Sequence, residues 1–147
     1  MGRGDLQCKI FPFGSCNPLL FVVVCSRYEG KWLLSRHKDR DTWETQGGHI
    51  EPGETPLDAA LRELYEESGV TDAELYPLCD YLGYDAIGSA YGAVFFADVH
   101  SLGTLPESEM SETSLFESLP TELTYPNVTP LFMAQAEKQF RNSEPPV

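Results

Sequence analysis

Residues 47–70 read GGHIEPGETPLDAALRELYEESGV, and most of what the chain discloses about itself lies in this stretch. Glu51-Pro52-Gly53-Glu54 is a turn by composition. Thr55 then offers a hydroxyl N-cap, Pro56 suits the first helical position, Asp58 completes an approximate capping box and Gly69 supplies a left-handed stop. These signals predict a helix over residues 56–68. On its wheel Leu57, Ala60, Leu61 and Leu64 share one face, which is expected to pack on a sheet. Glu63, Glu66 and Glu67, three and four residues apart, put three carboxylates within reach of a common point. Like charges at these spacings cost about 0.2–0.5 kcal/mol each, and they crowd the negative end of the helix dipole. A solvated acidic face is the bland reading; a cation would remove both penalties.

Working outward, residues 19–25 form a continuous β-branched and aliphatic run, the pattern of a strand buried on both faces at the centre of a sheet. Residues 31–36 follow after a turn at Gly30, which predicts a hairpin. Residues 43–51 read as a loop with a strand fragment. Beyond the helix, residues 73–84, 90–99 and 114–119 read as strands and residues 129–140 as a closing helix. The whole is an α/β chain whose 147 residues fit one domain, 1–147.

Composition narrows the function. With 23 acids against 10 bases the net charge is −13, which argues against a nucleic acid polymer or an anionic membrane as partner. A polyphosphate ligand would need a cation between it and the protein, and a divalent metal is the simplest. Cys8, Cys16, Cys25 and Cys79 have no metal-ligand spacing, the longest apolar run is far too short to span a bilayer, and no cleavable leader is evident, so a cytoplasmic protein with reduced thiols is expected. The tripeptides at residues 3–5 and 127–129 match extracellular motifs that arise often by chance and carry no weight.

The spacing in the central stretch is Gly48, five residues, Glu54, seven residues, Arg62-Glu63-Leu64, one residue, Glu66-Glu67, one residue, Gly69-Val70. Every fixed position of the Nudix box is filled, and on these residues the sequence resembles the Nudix hydrolases. The resemblance implies an α/β/α sandwich with a central mixed sheet. It also implies a small-molecule nucleotide as substrate and hydrolysis of a phosphoanhydride bond. Glu63, Glu66, Glu67 and the Gly47 carbonyl would hold Mg²⁺, with Mn²⁺ as a substitute, and Glu54 and Arg62 would orient them. The general base would be a helix glutamate or one of Glu107, Glu109 and Glu112 in the loop before the last strand.

The compact length and Tyr125-Pro126-Asn127 resemble the mutator-type branch, which hydrolyses nucleoside triphosphates, oxidised guanine ones included, to monophosphate and pyrophosphate. Asn127 would then read the base edge, Trp43 would stack on it, and Arg36, one of five cations between residues 27 and 40, would meet phosphate. The chain departs from that branch at Thr45-Gln46, where an aromatic or aliphatic residue followed by proline is usual. A dinucleoside polyphosphate or ADP-ribose as substrate, prenyl diphosphate isomerisation, and a non-catalytic nucleotide sensor are the alternatives, and a homodimer is left open.

Overall fold

The computed structural model describes residues 3–143. After a short 3₁₀ turn at Arg3–Asp5 come β1 (Gln7–Phe11), β2 (Leu19–Tyr28), β3 (Lys31–His37), β4 (Gln46–His49), α1 (Pro56–Ser68), β5 (Asp72–Tyr84), β6 (Ser89–Ser101), β7 (Met110–Phe116) and α2 (Thr129–Ser143). The strands form one mixed sheet in the order β1-β5-β6-β2-β3-β7, with β4 paired to β2 off that path. Among these strands only β2 and β6 run parallel, and the apolar run of β2 lies between β6 and the β3/β4 side, as its composition demands.

The way β2 shares its outer edge positions the site. Phe21–Val24 pair with β4, while Ser26–Tyr28 pair with β3. The two glycines of β4 therefore lie against the middle of the sheet, beneath the helix that follows them. One face of the sheet is covered by α1 over a core that includes Val22, Val24, Leu33, Ala93 and Phe95. The other is covered by α2 over Cys25, Leu34, Val94 and Phe96, with Phe132 and Met133 brought by the helix. Each fully buried side chain of this kind is worth about 1.5–3 kcal/mol relative to exposure.

α1 has the limits its caps dictate: the Thr55 hydroxyl accepts from the Asp58 N–H, the Asp58 carboxylate accepts from the Thr55 N–H, and Gly69 ends the helix at φ 81°. Its buried face agrees with expectation at Ala60 and Leu64 and differs at Leu57 and Leu61. Ala59, Ala60, Leu64 and Ser68 are buried, whereas Leu57 and Leu61 are 44 % and 46 % exposed. The helix is rotated so that its alanines approach the sheet closely and Glu63 and Glu67 turn toward β4 instead of solvent.

Two further differences concern the sheet. The last strand begins at Met110, ahead of the expected residue 114, because the edge of β3 draws Glu112 and Thr113 into register with Arg36 and Ser35. An edge strand with one wet face needs no apolar run. For the same reason β1, which pairs only with β5, was not legible in advance.

Candidate active site

Antiparallel pairing alternates between residues that bond across the ladder and residues that turn both backbone groups away from it. In β4 the bond from Ile50 N–H to Leu20 carbonyl sets the parity, which leaves Gly47 and His49 facing outward, toward α1. Both are used. The Gly47 N–H donates to Glu67 Oε1 at 2.8 Å, and the His49 carbonyl accepts from Arg62 Nη2 at 3.0 Å. The same parity turns the Gly47 carbonyl to the edge where Glu67 lies. A side chain at Gly47 would collide with backbone, and one at Gly48 would displace the Glu63 carboxylate. A Cβ at Gly47 would stand 2.4 Å from the Val22 carbonyl oxygen, and one at Gly48 would stand 2.7 Å from the carboxylate of Glu63.

Arg62 ties the loop to the helix. Its guanidinium meets both oxygens of Glu54, at 2.8 and 2.9 Å, donates to Glu63 Oε1 at 2.8 Å and reaches Glu66 Oε2 at 3.4 Å. This bidentate pair, helped by the Glu51 N–H, holds the Glu54 carboxyl down at about 2, and it pushes Arg62 above its own ordinary range. Arg62 thus ties Glu54 of the loop to Glu63 and Glu66 of the helix.

Glu67 stands in the opposite condition. Burial pushes its carboxyl up to about 8, the Gly47 N–H pulls the other way, and the charges of Glu63, Glu44 and Glu66 add to the rise. Burial also raises Glu63, against the pull of Arg62. Ser35 Oγ donates to the Glu67 carbonyl at 2.8 Å and fixes the end of the helix against β3. Among the described residues no three acids or imidazoles converge as a ready-made ion site, because Glu63 and Glu66 lean on Arg62 and Glu67 on Gly47. The donor set is nonetheless the one a hard cation takes, all oxygen with a surplus of negative charge beside the Gly47 backbone, where only glycine fits.

Next to this cluster opens a cavity of about 570 Å³, walled by β2, residues 44–49, the β5–β6 hairpin and the start of α2. Its floor is apolar, with Phe21, Val23, Tyr81 and Phe132, and among the described residues no lysine or arginine lines it. The Tyr81 ring lies where a Cβ at Gly92 would be, 2.4 Å away, and stacks at a tilt on Phe132. Glu44, Asp85 and Ser89 contribute polar groups to the walls. Sequence reasoning missed these. Glu44 was hidden in a stretch read as a loop, and Asp85 and Ser89 come from a hairpin tip far along the chain.

The structure places the other anticipated residues elsewhere. Trp43 packs edge-on against Phe116 with ring centroids 5.0 Å apart, Asn127 donates to the Gly4 carbonyl at 2.7 Å, and Arg36 binds Glu112 at 2.7 Å and the Arg40 carbonyl at 2.8 Å. None of the three lines the cavity. Glu112, opposite Arg36 in the β3–β7 register, shares that residue's face of the sheet, while Ser35 beside it faces α1. Glu109 sits 3.6 Å from His37, and Glu107 is exposed. The departure at Thr45-Gln46 has a structural account. Gln46 is fully buried, accepts from Ser26 Oγ at 2.7 Å and donates to the Leu33 carbonyl and Ser35 Oγ, so its amide stitches β2, β3 and β4 together.

Comparison with known proteins agrees with this geometry. Residues 18–132 match the model of the NUDIX domain. The putative 8-oxo-dGTP diphosphatase YtkD of Bacillus subtilis is 39 % identical over 120 residues, covering 77 % of this chain and 70 % of that protein. The RNA pyrophosphohydrolase of Bartonella quintana is 37 % identical over 91 residues, covering 55 % of this chain and 50 % of that protein, so the match spans about half its length. Among solved structures, that of a mutant of the Bacillus subtilis pyrophosphohydrolase BsRppH superposes with a TM-score of 0.77 at 27 % identity, covering 91 % of this chain and 90 % of that one. The chain belongs to the Nudix family, and it is a Nudix hydrolase acting on nucleotide derivatives.

Proposed function

We propose that the chain hydrolyses a nucleoside triphosphate, an oxidised guanine nucleotide included, to monophosphate and pyrophosphate with Mg²⁺, or Mn²⁺ in its place. One observation carries this reading: a carboxylate cluster on α1 that repels itself adjoins a cavity with an apolar floor and, among the described residues, no lysine or arginine. The cavity suits a neutral nucleoside and offers phosphate little, so the phosphate chain belongs at the mouth, beside Glu63, Glu66, Glu67 and the Gly47 carbonyl. Those four would hold the cation, which when bound neutralises charge on the phosphoryl oxygens and acidifies a water.

The remaining work falls to the chain itself. Arg62 and Glu54 hold the loop and the helix at a fixed spacing. The close approach at Gly47, where a side chain would meet the Val22 carbonyl, leaves backbone to face the phosphates. A carboxylate of α1 accepts the proton of the attacking water: these acids stand beside the Gly47 backbone, whereas Glu109 and Glu112 lie at the β3–β7 edge and Glu107 is exposed. YtkD, whose name carries 8-oxo-dGTP, supports the triphosphate reading.

A second reading takes the 5′-triphosphate end of an RNA as substrate, and it rests on the relatives named RNA pyrophosphohydrolase. The net charge of −13 and a cavity without lysine or arginine among its described lining residues weigh against extended contact with a polymer. Pyrophosphate release from free nucleoside triphosphates and from a 5′-triphosphorylated RNA, side by side, separates the two. Faster turnover of the free nucleotide upholds the proposal; turnover of the RNA alone overturns it.

A further inference from the structure

At the start of β5 the sheet has an open edge. β1 pairs only with residues 80–84 of that strand, so among the described residues no strand lies along the outer side of residues 72–76. Pro77, which has no N–H to offer, ends the open stretch, and its carbonyl accepts from Gln139 Nε2 at 3.4 Å. The two faces beside this edge differ. Ala73 and Leu75 pack against the core beneath α1, and there a groove of about 220 Å³ runs between helix and strand. Leu64, Val70 and Ala73 line it, with Leu61 and Tyr65, each 46 % exposed, on its lip; Leu57, one turn earlier, extends the stripe. Asp72 and Glu74 point the other way, as alternate residues of a strand must. They and Asp98 stand 3.4, 3.7 and 3.8 Å from the His100 ring, so three carboxylates share one imidazole and that face is negative whether or not the ring is charged.

We propose that the outer edge of residues 72–76 docks an extended segment of another protein in which apolar and basic residues alternate. The backbone of such a segment continues the sheet beyond β5. Its period of two sends every second side chain into the groove beside Leu61 and Tyr65, and sends the others over Asp72 and Glu74. Charge selects this occupant over a second copy of the chain. Two copies joined edge to edge about a twofold axis would set these acids against their own counterparts, on a chain of net charge −13. Acids at an open edge deter self-pairing, yet they attract a cationic strand. Leu61 and Glu63, two residues apart, point about 200° apart around the helix, so the surface lies on the side of α1 away from the acid cluster. Among the described residues the groove shares no lining residue with the cavity, so a docked segment leaves the cavity open.

The test is fluorescence anisotropy with three short labelled peptides. One alternates valine and lysine, one has the same composition with valines and lysines in separate blocks, and one repeats the first with alternate backbone nitrogens methylated. The alternating peptide is expected to bind roughly tenfold tighter than either control, the sum of several cross-strand pairs. Glu74→Lys and Leu61→Asp, exposed positions outside the hydrolytic machinery, should each weaken it by about fivefold or more and leave nucleotide turnover unchanged. No binding, equal affinity for the three peptides, or binding that neither variant disturbs overturns the proposal. The peptide comparison on the wild-type chain decides even if a variant does not fold. Sedimentation equilibrium without peptide adds the last arm: a dimer that Leu61→Asp dissociates would make a second copy the occupant and overturn the proposal too, whereas a wild-type monomer upholds it.

Discussion

The acid cluster of α1 and the cavity beside it are neighbours built by different rules. The cluster comes from residues 47–67, where helix periodicity and strand parity alone bring Gly47, Arg62, Glu63 and Glu67 together. The cavity draws on residues from Leu6 to Phe132, and no local period relates them. The first is charged, self-repelling and tightly cross-linked by Arg62; the second is apolar with a few fixed acceptors. Chemistry common to a family can be written in one short segment, whereas the choice of substrate is distributed over the fold.

Substitutions can break that division. Glu67→Gln should lower kcat by roughly 10²–10⁴-fold with the melting temperature held below about pH 8, because the amide replaces an acid that burial already keeps protonated there. Steady-state rates and a thermal melt on the same sample check both halves, and wild-type turnover would take Glu67 out of the mechanism. Arg62→Lys cannot keep the two bonds to Glu54, and a loss of about 10- to 100-fold in Mg²⁺ affinity is expected from a disturbed supporting group. A titration of Mg²⁺ activation reads it; unchanged activation would make Arg62 dispensable.

The cavity should answer differently. Ile87 is 82 % exposed at its rim, so Ile87→Ser should raise KM by about two- to fivefold at constant kcat, the effect of losing little apolar contact. A fall in kcat instead would blur the division. The smallest effect concerns pH. Without metal, native Glu67 keeps its proton up to about pH 8 while the unfolded chain releases it near the ordinary 4.5, so the native state binds more protons in between and its stability falls as pH rises through that window. Glu54 acts oppositely: its contribution is present above about pH 4.5 and is lost as pH falls toward 2. Denaturant unfolding at several pH values should show the upper slope in the wild type and a shallower one in Glu67→Gln.

How much of this could be read in advance follows the same line. The limits of α1 are in the sequence because caps are local, and Arg62 as a partner of Glu54 is there because the two share one family of spacings. The rotation of α1 is not. Ala60 and Leu64 of the expected stripe are buried, yet the sheet takes Ala59 in preference to Leu57 and Leu61, since close packing of the helix on the sheet rewards small side chains. Arg36, Trp43 and Asn127 were chosen by residue type, and the register of β3 with β7 and the packing of Phe116 decide where the first two point, as the Gly4 carbonyl does for the third. Glu44 gave no signal because its meaning lies in its partners Arg40 and Thr124, the second of them 80 residues further along the chain.

The most direct test of the account is release of pyrophosphate and phosphate from a panel of nucleoside triphosphates, 8-oxo-dGTP and ADP-ribose, each with Mg²⁺ and with excess chelator. Pyrophosphate from a nucleoside triphosphate is expected, abolished by chelator and by Glu67→Gln. Pyrophosphate release that survives chelator, or turnover of ADP-ribose alone, would contradict it.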